Sequence, residues 1–152
     1  MGFNIVLVEP EIPTNTGNIG RLSLASGSAL HLVKPFGFEL DDKSLKRAGL
    51  DYWKHISINI YENIEDFYLK NKDVNMVYFS SSATKNYTTI NFQDNMFFLF
   101  GKESVGLSKK ITVKNSEKLY RIPIYSKHVR SLNLANAVSI VVYEALRNLK
   151  IE

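Results

Sequence analysis

Short runs of unbroken apolar residues constrain this chain more than any other feature. Asn4-Ile5-Val6-Leu7-Val8, Val74 to Phe79 and Met96 to Phe100 carry few polar side chains, and Ala29 to Val33 is interrupted only by His31. A strand with one face in water alternates polar and apolar residues. A run without alternation is a strand buried on both faces, which happens when helices cover both sides of a mostly parallel sheet. Helical signals fall between the runs. Ile19 to Gly27 reads as a helix stopped by Gly27, Asp41 as the cap of a short basic helix through Arg47, and Asn63 as the cap of Ile64 to Lys70. Ile56 to Ile60 and Leu119 to Ile124 add strands, and Gly101 to Lys110 leads into a short helix. From Leu134 onward, Val138, Val141, Val142, Ala145, Leu146 and Leu149 recur at three- and four-residue steps, one face of a closing helix capped by Ser131 or Asn133. Strand alternating with helix predicts one α/β domain over residues 1–152.

In such sheets ligands sit beyond the carboxyl ends of the strands. That rule selects the loops after Val8, Phe79, Phe100 and Ile124; three of them hold the densest clusters of Gly, Asn, Ser and Arg, and the one after Phe79 is a serine run. The first, Pro13 to Arg21, stands where a dinucleotide fingerprint would lie but lacks the leading glycine of G-x-G-x-x-G. A turn freed by Gly17 and capped by Thr16 or Asn18 explains it structurally, apart from Arg21. Placed one turn into a helix starting near Ile19, an arginine opposes the positive end of the helix dipole unless an anion is close. Gly101-Lys102-Glu103 lacks the spacing and the hydroxyl of a phosphate loop, so it reads as a strand end where a ligand can approach the backbone. His31, His55 and His128 have no ligand spacing, so no metal is expected.

Composition adds bounds. The 152 residues include no cysteine, which rules out disulfides and thiolate-held metals. No apolar stretch reaches membrane-spanning length, and the first residues lack a basic signal-peptide region, so a cytoplasmic protein without membrane partners is expected. A net charge of +4 and a pI near 9.2 suit an RNA partner without requiring one.

Asn15-Thr16-Gly17-Asn18-Ile19-Gly20-Arg21, then Phe100 to Leu107, then Ile122-Pro123 followed by Arg130-Ser131-Leu132-Asn133-Leu134, resemble the three motifs of the SPOUT RNA 2′-O-methyltransferases. Length and Pro10-Glu11-Ile12-Pro13 resemble the TrmL branch, which methylates the wobble cytidine or uridine ribose of leucine tRNAs. The resemblance spans about Phe3 to Leu149. It implies a deep trefoil knot in the carboxy-terminal third, a homodimer with the last helix in the interface, and S-adenosylmethionine as methyl donor without a metal or DNA. By motif position, Phe79, Gly101, Ile122 and Ser131 fall where relatives contact S-adenosylmethionine. Arg21, Asn133 and Ser131 match the catalytic set, and Asn15, Arg21, Glu103 and Arg130 the RNA-positioning set. Lys102, Ser23 and Ala135 depart from the usual motif residues, and Tyr125 to Val129 is slightly long.

The implied chemistry is attack of a ribose 2′-hydroxyl on an activated methyl group, so the protein must orient two substrates and help a proton leave. Arg21 is expected as a base or, equally, as a group stabilising the alkoxide or holding a phosphate, with Glu103 orienting it. Methylation of another tRNA or an rRNA nucleotide, a non-catalytic binding module of the same fold, and a dinucleotide-dependent oxidoreductase are the alternatives.

Overall fold

The computed structural model describes residues 2–149. Strands β1 (Asn4–Val8), β2 (Ala29–Val33), β3 (Ile58–Tyr61), β4 (Met76–Phe79), β5 (Lys85–Asn86), β6 (Phe97–Phe100) and β7 (Leu119–Arg121) form one sheet in the order β3-β2-β1-β6-β4-β7-β5. Every pairing is parallel. Helices α1 (Pro13–Ala25), α2 (Lys43–Gly49), α3 (Ile64–Lys70), α4 (Lys109–Lys114) and α5 (Leu134–Leu149) connect or follow the strands.

The apolar runs are unbroken because each strand feeds two cores. Ile5, Leu7, Leu30, Leu32, Phe98 and Phe100 point to one face, where Ile19 of α1 and Val138, Val141, Val142 and Ala145 of α5 cover them. Val6, Val8, Val33, Phe97 and Leu99 point to the other, under Phe67 of α3 and Ile111 of α4. The period-two alternation is present, but both phases are apolar.

β1, β2 and α3 have the bounds expected from sequence, and Asn63 caps α3 by accepting the Asp66 N–H at 2.8 Å. Other boundaries differ for physical reasons. Asp42, not Asp41, caps α2, its carboxylate accepting the Ser44 N–H at 2.7 Å. β3 starts at Ile58 because Leu50–His55 winds into a 3-10 turn closed by Ile56 N–H to the Trp53 carbonyl at 3.2 Å. β7 ends at Arg121, leaving Ile122 to Ile124 in the loop. The two-residue strand β5 is too short to leave a periodic signal.

The largest difference is at α1. The helix begins at Pro13, not near Ile19, and Asn15 to Gly17 lie inside it. Proline suits the first helical position because its fixed φ fits and its missing N–H would have been unpaired anyway. Gly27, at φ 68°, follows the Ser26 C-cap and ends the helix as expected. The apolar stripe of α5 also has a different meaning from the one implied by dimer formation: Val138, Val141, Val142 and Ala145 are buried in the chain's own core.

His31, on β2, is buried between Asn4 of β1 and Tyr61 of the edge strand β3. One ring nitrogen lies 2.8 Å from the Tyr61 hydroxyl and the other 2.9 Å from Asn4 Oδ1, satisfying a neutral imidazole. Burial lowers its pKa from 6.5 to about 4. A folded pKa below the unfolded value leaves stability intact above about 6.5 and removes it as pH falls toward 4, by roughly 3 kcal/mol in full. Urea midpoints measured across this window should therefore fall on the acid side, and His31→Leu should flatten that slope.

Candidate active site

The loops at the carboxyl ends of β1, β4, β6 and β7 meet around one cavity of about 330 Å³. Its apolar floor comes from Phe79 at the end of β4, Phe100 at the end of β6, Ile122 and Ile124 after β7, and Leu134 and Ala137 at the start of α5. Its polar wall comes from Asn15, Ser80, Glu103, Arg121, Ser131 and Asn133. This is the crevice between oppositely wound halves of a parallel sheet, where such folds bind ligands.

Glu103 is the hub of the wall. One carboxylate oxygen accepts the Glu11 N–H at 2.9 Å; the other accepts the Ile12 N–H at 2.7 Å and the Asn15 amide at 3.3 Å. Ile12 is the N-cap of α1 and has no side chain to cap with, so a carboxylate from the β6 loop takes on that work. Glu11 returns the contact: its carboxylate accepts both the hydroxyl of Ser104 at 2.6 Å and its N–H at 2.9 Å. Those two bonds, the hydroxyl first, hold the Glu11 carboxyl below the ordinary carboxylate range. The chain of bonds continues from Asn15 Oδ1, which accepts the Asn133 amide at 3.1 Å, to Asn133 Oδ1, which accepts the Asn136 N–H at 3.2 Å. Asn133 is thus both the cap of α5 and a wall of the cavity.

The loop's own geometry gives Gly101 a further reason to lack a side chain. A Cβ there would overlap the backbone of Gly106 and Leu107 within its own loop, which a Lys102–Gly106 bridge folds back on itself. The missing side chain lets this loop close and present Glu103.

Of the residues singled out from sequence, Asn15, Phe79, Gly101, Glu103, Ile122, Ser131 and Asn133 line the cavity together. Arg21 and Arg130 do not. Arg130 is exposed on the loop before α5. Arg21 is exposed at the ninth of 13 positions in α1, roughly 12 Å along the axis from its start. The dipole argument for Arg21 therefore fails, because it rested on a helix starting near Ile19. Glu103 does not orient Arg21 either; the arginine lies instead over the ring of Tyr52, 5.0 Å from its centroid. Sequence reasoning missed Arg121, although it directly precedes Ile122-Pro123, and missed the Glu11–Ser104 bonds, for which no local signal exists. Among the described residues no cluster of three or more His, Cys, Asp or Glu side chains could hold a metal, and no helix is long and apolar enough to cross a membrane.

Residues 2–143 match the SpoU rRNA methylase family model. The chain belongs to the SpoU methylase family. A tRNA (cytidine(34)-2′-O)-methyltransferase from Methylovorus glucosotrophus is 43% identical over 146 residues, spanning 95% of this chain and 94% of that protein. A solved structure concerned with 2′-OH methylation of C/U34 on tRNA superposes with a TM-score of 0.94 at 37% identity, covering 99% of this chain and 97% of that one. An AdoMet-bound rRNA methyltransferase from Sinorhizobium meliloti superposes with a TM-score of 0.86 at 28% identity, covering 97% of this chain but 57% of that one. The family membership accounts for the conjunction of motifs that composition alone left open.

Gly101→Ala forces the loop apart at Gly106 and Leu107 and so pulls Glu103 off α1. The expected result is a loss of roughly 1–3 kcal/mol in stability, the cost of unpaired charge-assisted bonds. Thermal unfolding checks it; an unchanged midpoint would show that the loop tolerates a side chain.

Proposed function

We propose that this chain, as a single methyltransferase domain, moves the methyl group of S-adenosylmethionine to the ribose 2′-hydroxyl of the wobble cytidine or uridine of tRNA, leucine tRNAs among its substrates. The observation that carries this is the convergence of all four strand-end loops on one cavity, with Glu103, Asn15 and Asn133 joined in a single hydrogen-bonded line. The relatives named above supply the choice of substrate.

The cavity suits S-adenosylmethionine. Phe79, Phe100, Ile122 and Ile124 offer an apolar bed for a flat base, and Gly101 and Ser131 bring backbone and hydroxyl groups to its edge. When bound, the donor supplies a methyl carbon already activated by its sulfonium. The remaining work belongs to the chain. The ribose oxygen forms a bond to the methyl carbon as the carbon–sulfur bond breaks; the bonding pair leaves with sulfur, and the hydroxyl proton passes to solvent or a nearby base. Asn133, with its amide held by Asn15 and its carbonyl by the Asn136 N–H, is fixed beside the site where those atoms meet. Arg21 binds the RNA phosphate or steadies the developing negative oxygen, and Arg130 and Arg121 extend the cationic rim.

Arg21 does not reach its own chain's cavity, which bears on assembly. α1 and α5 pack side by side, and their outer surfaces carry Arg21, Leu24, Ile140 and Tyr143, with Tyr143 51% exposed. A second copy covering this surface forms the homodimer and brings Arg21 toward a cavity. The knot, placed where the loop after β7 leads into α5, and cytoplasmic location complete this reading.

The deciding experiment incubates the protein with methyl-labelled S-adenosylmethionine and total tRNA and maps the label. Label on the 2′-oxygen of the wobble nucleotide is expected. Label in rRNA instead would move the substrate class, and donor binding without transfer would leave a non-catalytic module. Arg21→Lys keeps the charge but loses the planar fork, so a tenfold to hundredfold fall in rate is expected for one lost charge-assisted bond of roughly 1.5–3 kcal/mol. Donor affinity should hold. For assembly, Tyr143→Asp should lower association in light scattering and methylation together; a monomer with full activity would remove the dimer from the mechanism.

A further inference from the structure

Gly20 and Arg21 of α1 face Trp53 and Tyr52 of the 3-10 turn, neighbour against neighbour. An ideal Cβ on Gly20 would lie 2.9 Å from Ile56 Cδ1 and 3.1 Å from a Trp53 ring carbon, so the bare glycine lets this turn sit close against the helix. With Trp53 seated there, the adjoining Tyr52 ring lies under the Arg21 guanidinium, 5.0 Å from centroid to Cζ. Both side chains are partly open to solvent, the ring 41% exposed. Among the described residues, no carboxylate pairs with Arg21.

We propose that Tyr52 is a positioning residue for Arg21, holding its guanidinium by the flat face so that the in-plane N–H fork stays free for an anionic oxygen of the RNA. This rests on the assignment of Arg21 to RNA contact or catalysis made above and goes beyond it by saying what aims the side chain. The choice of an aromatic partner has a chemical reason. A free arginine on a helix surface samples many rotamers, and ordering it costs binding energy at the moment of contact. A carboxylate would order it but would occupy the same N–H groups that a phosphate or alkoxide needs, and would cancel its charge. An aromatic face attracts the cation through its quadrupole and touches none of the edge donors. Gly20 contributes by leaving room for the Trp53 and Ile56 side chains beside the turn that carries Tyr52.

The test compares single-turnover methyl transfer to tRNA at saturating donor and RNA for the wild type, Tyr52→Leu, Tyr52→Phe, Arg21→Ala and the Arg21→Ala/Tyr52→Leu pair, with donor affinity and thermal unfolding measured on each. Leucine keeps apolar bulk without the π face, and phenylalanine keeps the face without the hydroxyl. Tyr52→Leu should slow transfer roughly two- to fivefold, the worth of an exposed cation–π contact, with donor affinity and melting unchanged. Tyr52→Phe should restore the rate, and the double variant should be no slower than Arg21→Ala alone. Tyr52→Leu at wild-type rate, or the same fold loss with Arg21 already removed, overturns the proposal while leaving Arg21 in its role. Arg21→Ala at wild-type rate overturns the assignment of Arg21 itself.

Discussion

The carboxylate of Glu103 holds this site together. It leaves the turn after β6 and caps α1, 91 residues away along the chain, by accepting the Glu11 and Ile12 N–H groups. The first turn of any helix exposes unpaired N–H groups, and α1 begins with an isoleucine and a proline that cannot satisfy them. With Pro13 at its first position and this borrowed cap at Ile12, α1 starts beside Glu103. The start of α1 fixes Asn15, Asn15 fixes Asn133, and Asn133 fixes the first turn of α5. Position therefore passes from β6 to both helices of one face through a line of polar contacts laid over an apolar floor.

The sheet makes that line possible. β6 returns to the centre of the sheet and pairs with β1 on one side and β4 on the other, so the loop carrying Glu103 opens directly beside the one leading to α1. The short strands give little freedom of register, since each must satisfy two cores at once. Deletion of a single residue in β6 would exchange Phe98 and Phe100 with Phe97 and Leu99 between faces. The rigid frame is apolar and local in its logic; the site placed on it is polar and long-range.

That division explains what could be read from the sequence. β1, β2 and α3 were legible to the residue, because two-sided burial and a side-chain cap leave marks within the element itself. Seven of the nine singled-out residues lie in one cavity because strand ends converge wherever a parallel sheet is built. The start of α1 was illegible. Asn15-Thr16-Gly17-Asn18 has the composition of a turn, and the group that makes it helical lies in another loop. The expectation for Arg21 inherited that error. Tyr52 was equally silent, since nothing in the order of residues says that a 3-10 turn will bring its ring under a particular guanidinium.

The same carboxylate separates this cavity from that of a dinucleotide-binding protein built on a comparable sheet. There, the free N–H groups and positive end of the first helix receive a pyrophosphate, which is why the glycine fingerprint sits at that turn. Here Glu103 already occupies the corresponding end of α1, its two oxygens taken by backbone and by Asn15. A second anion would meet a filled site and a like charge. A cationic ligand would meet no such penalty there, and the nearby cationic side chains, Arg121 on the cavity wall and the exposed Arg21 and Arg130, all stand outside the Glu103 contacts. The incomplete glycine fingerprint thus goes with an acidic side chain standing where a phosphate would otherwise lie.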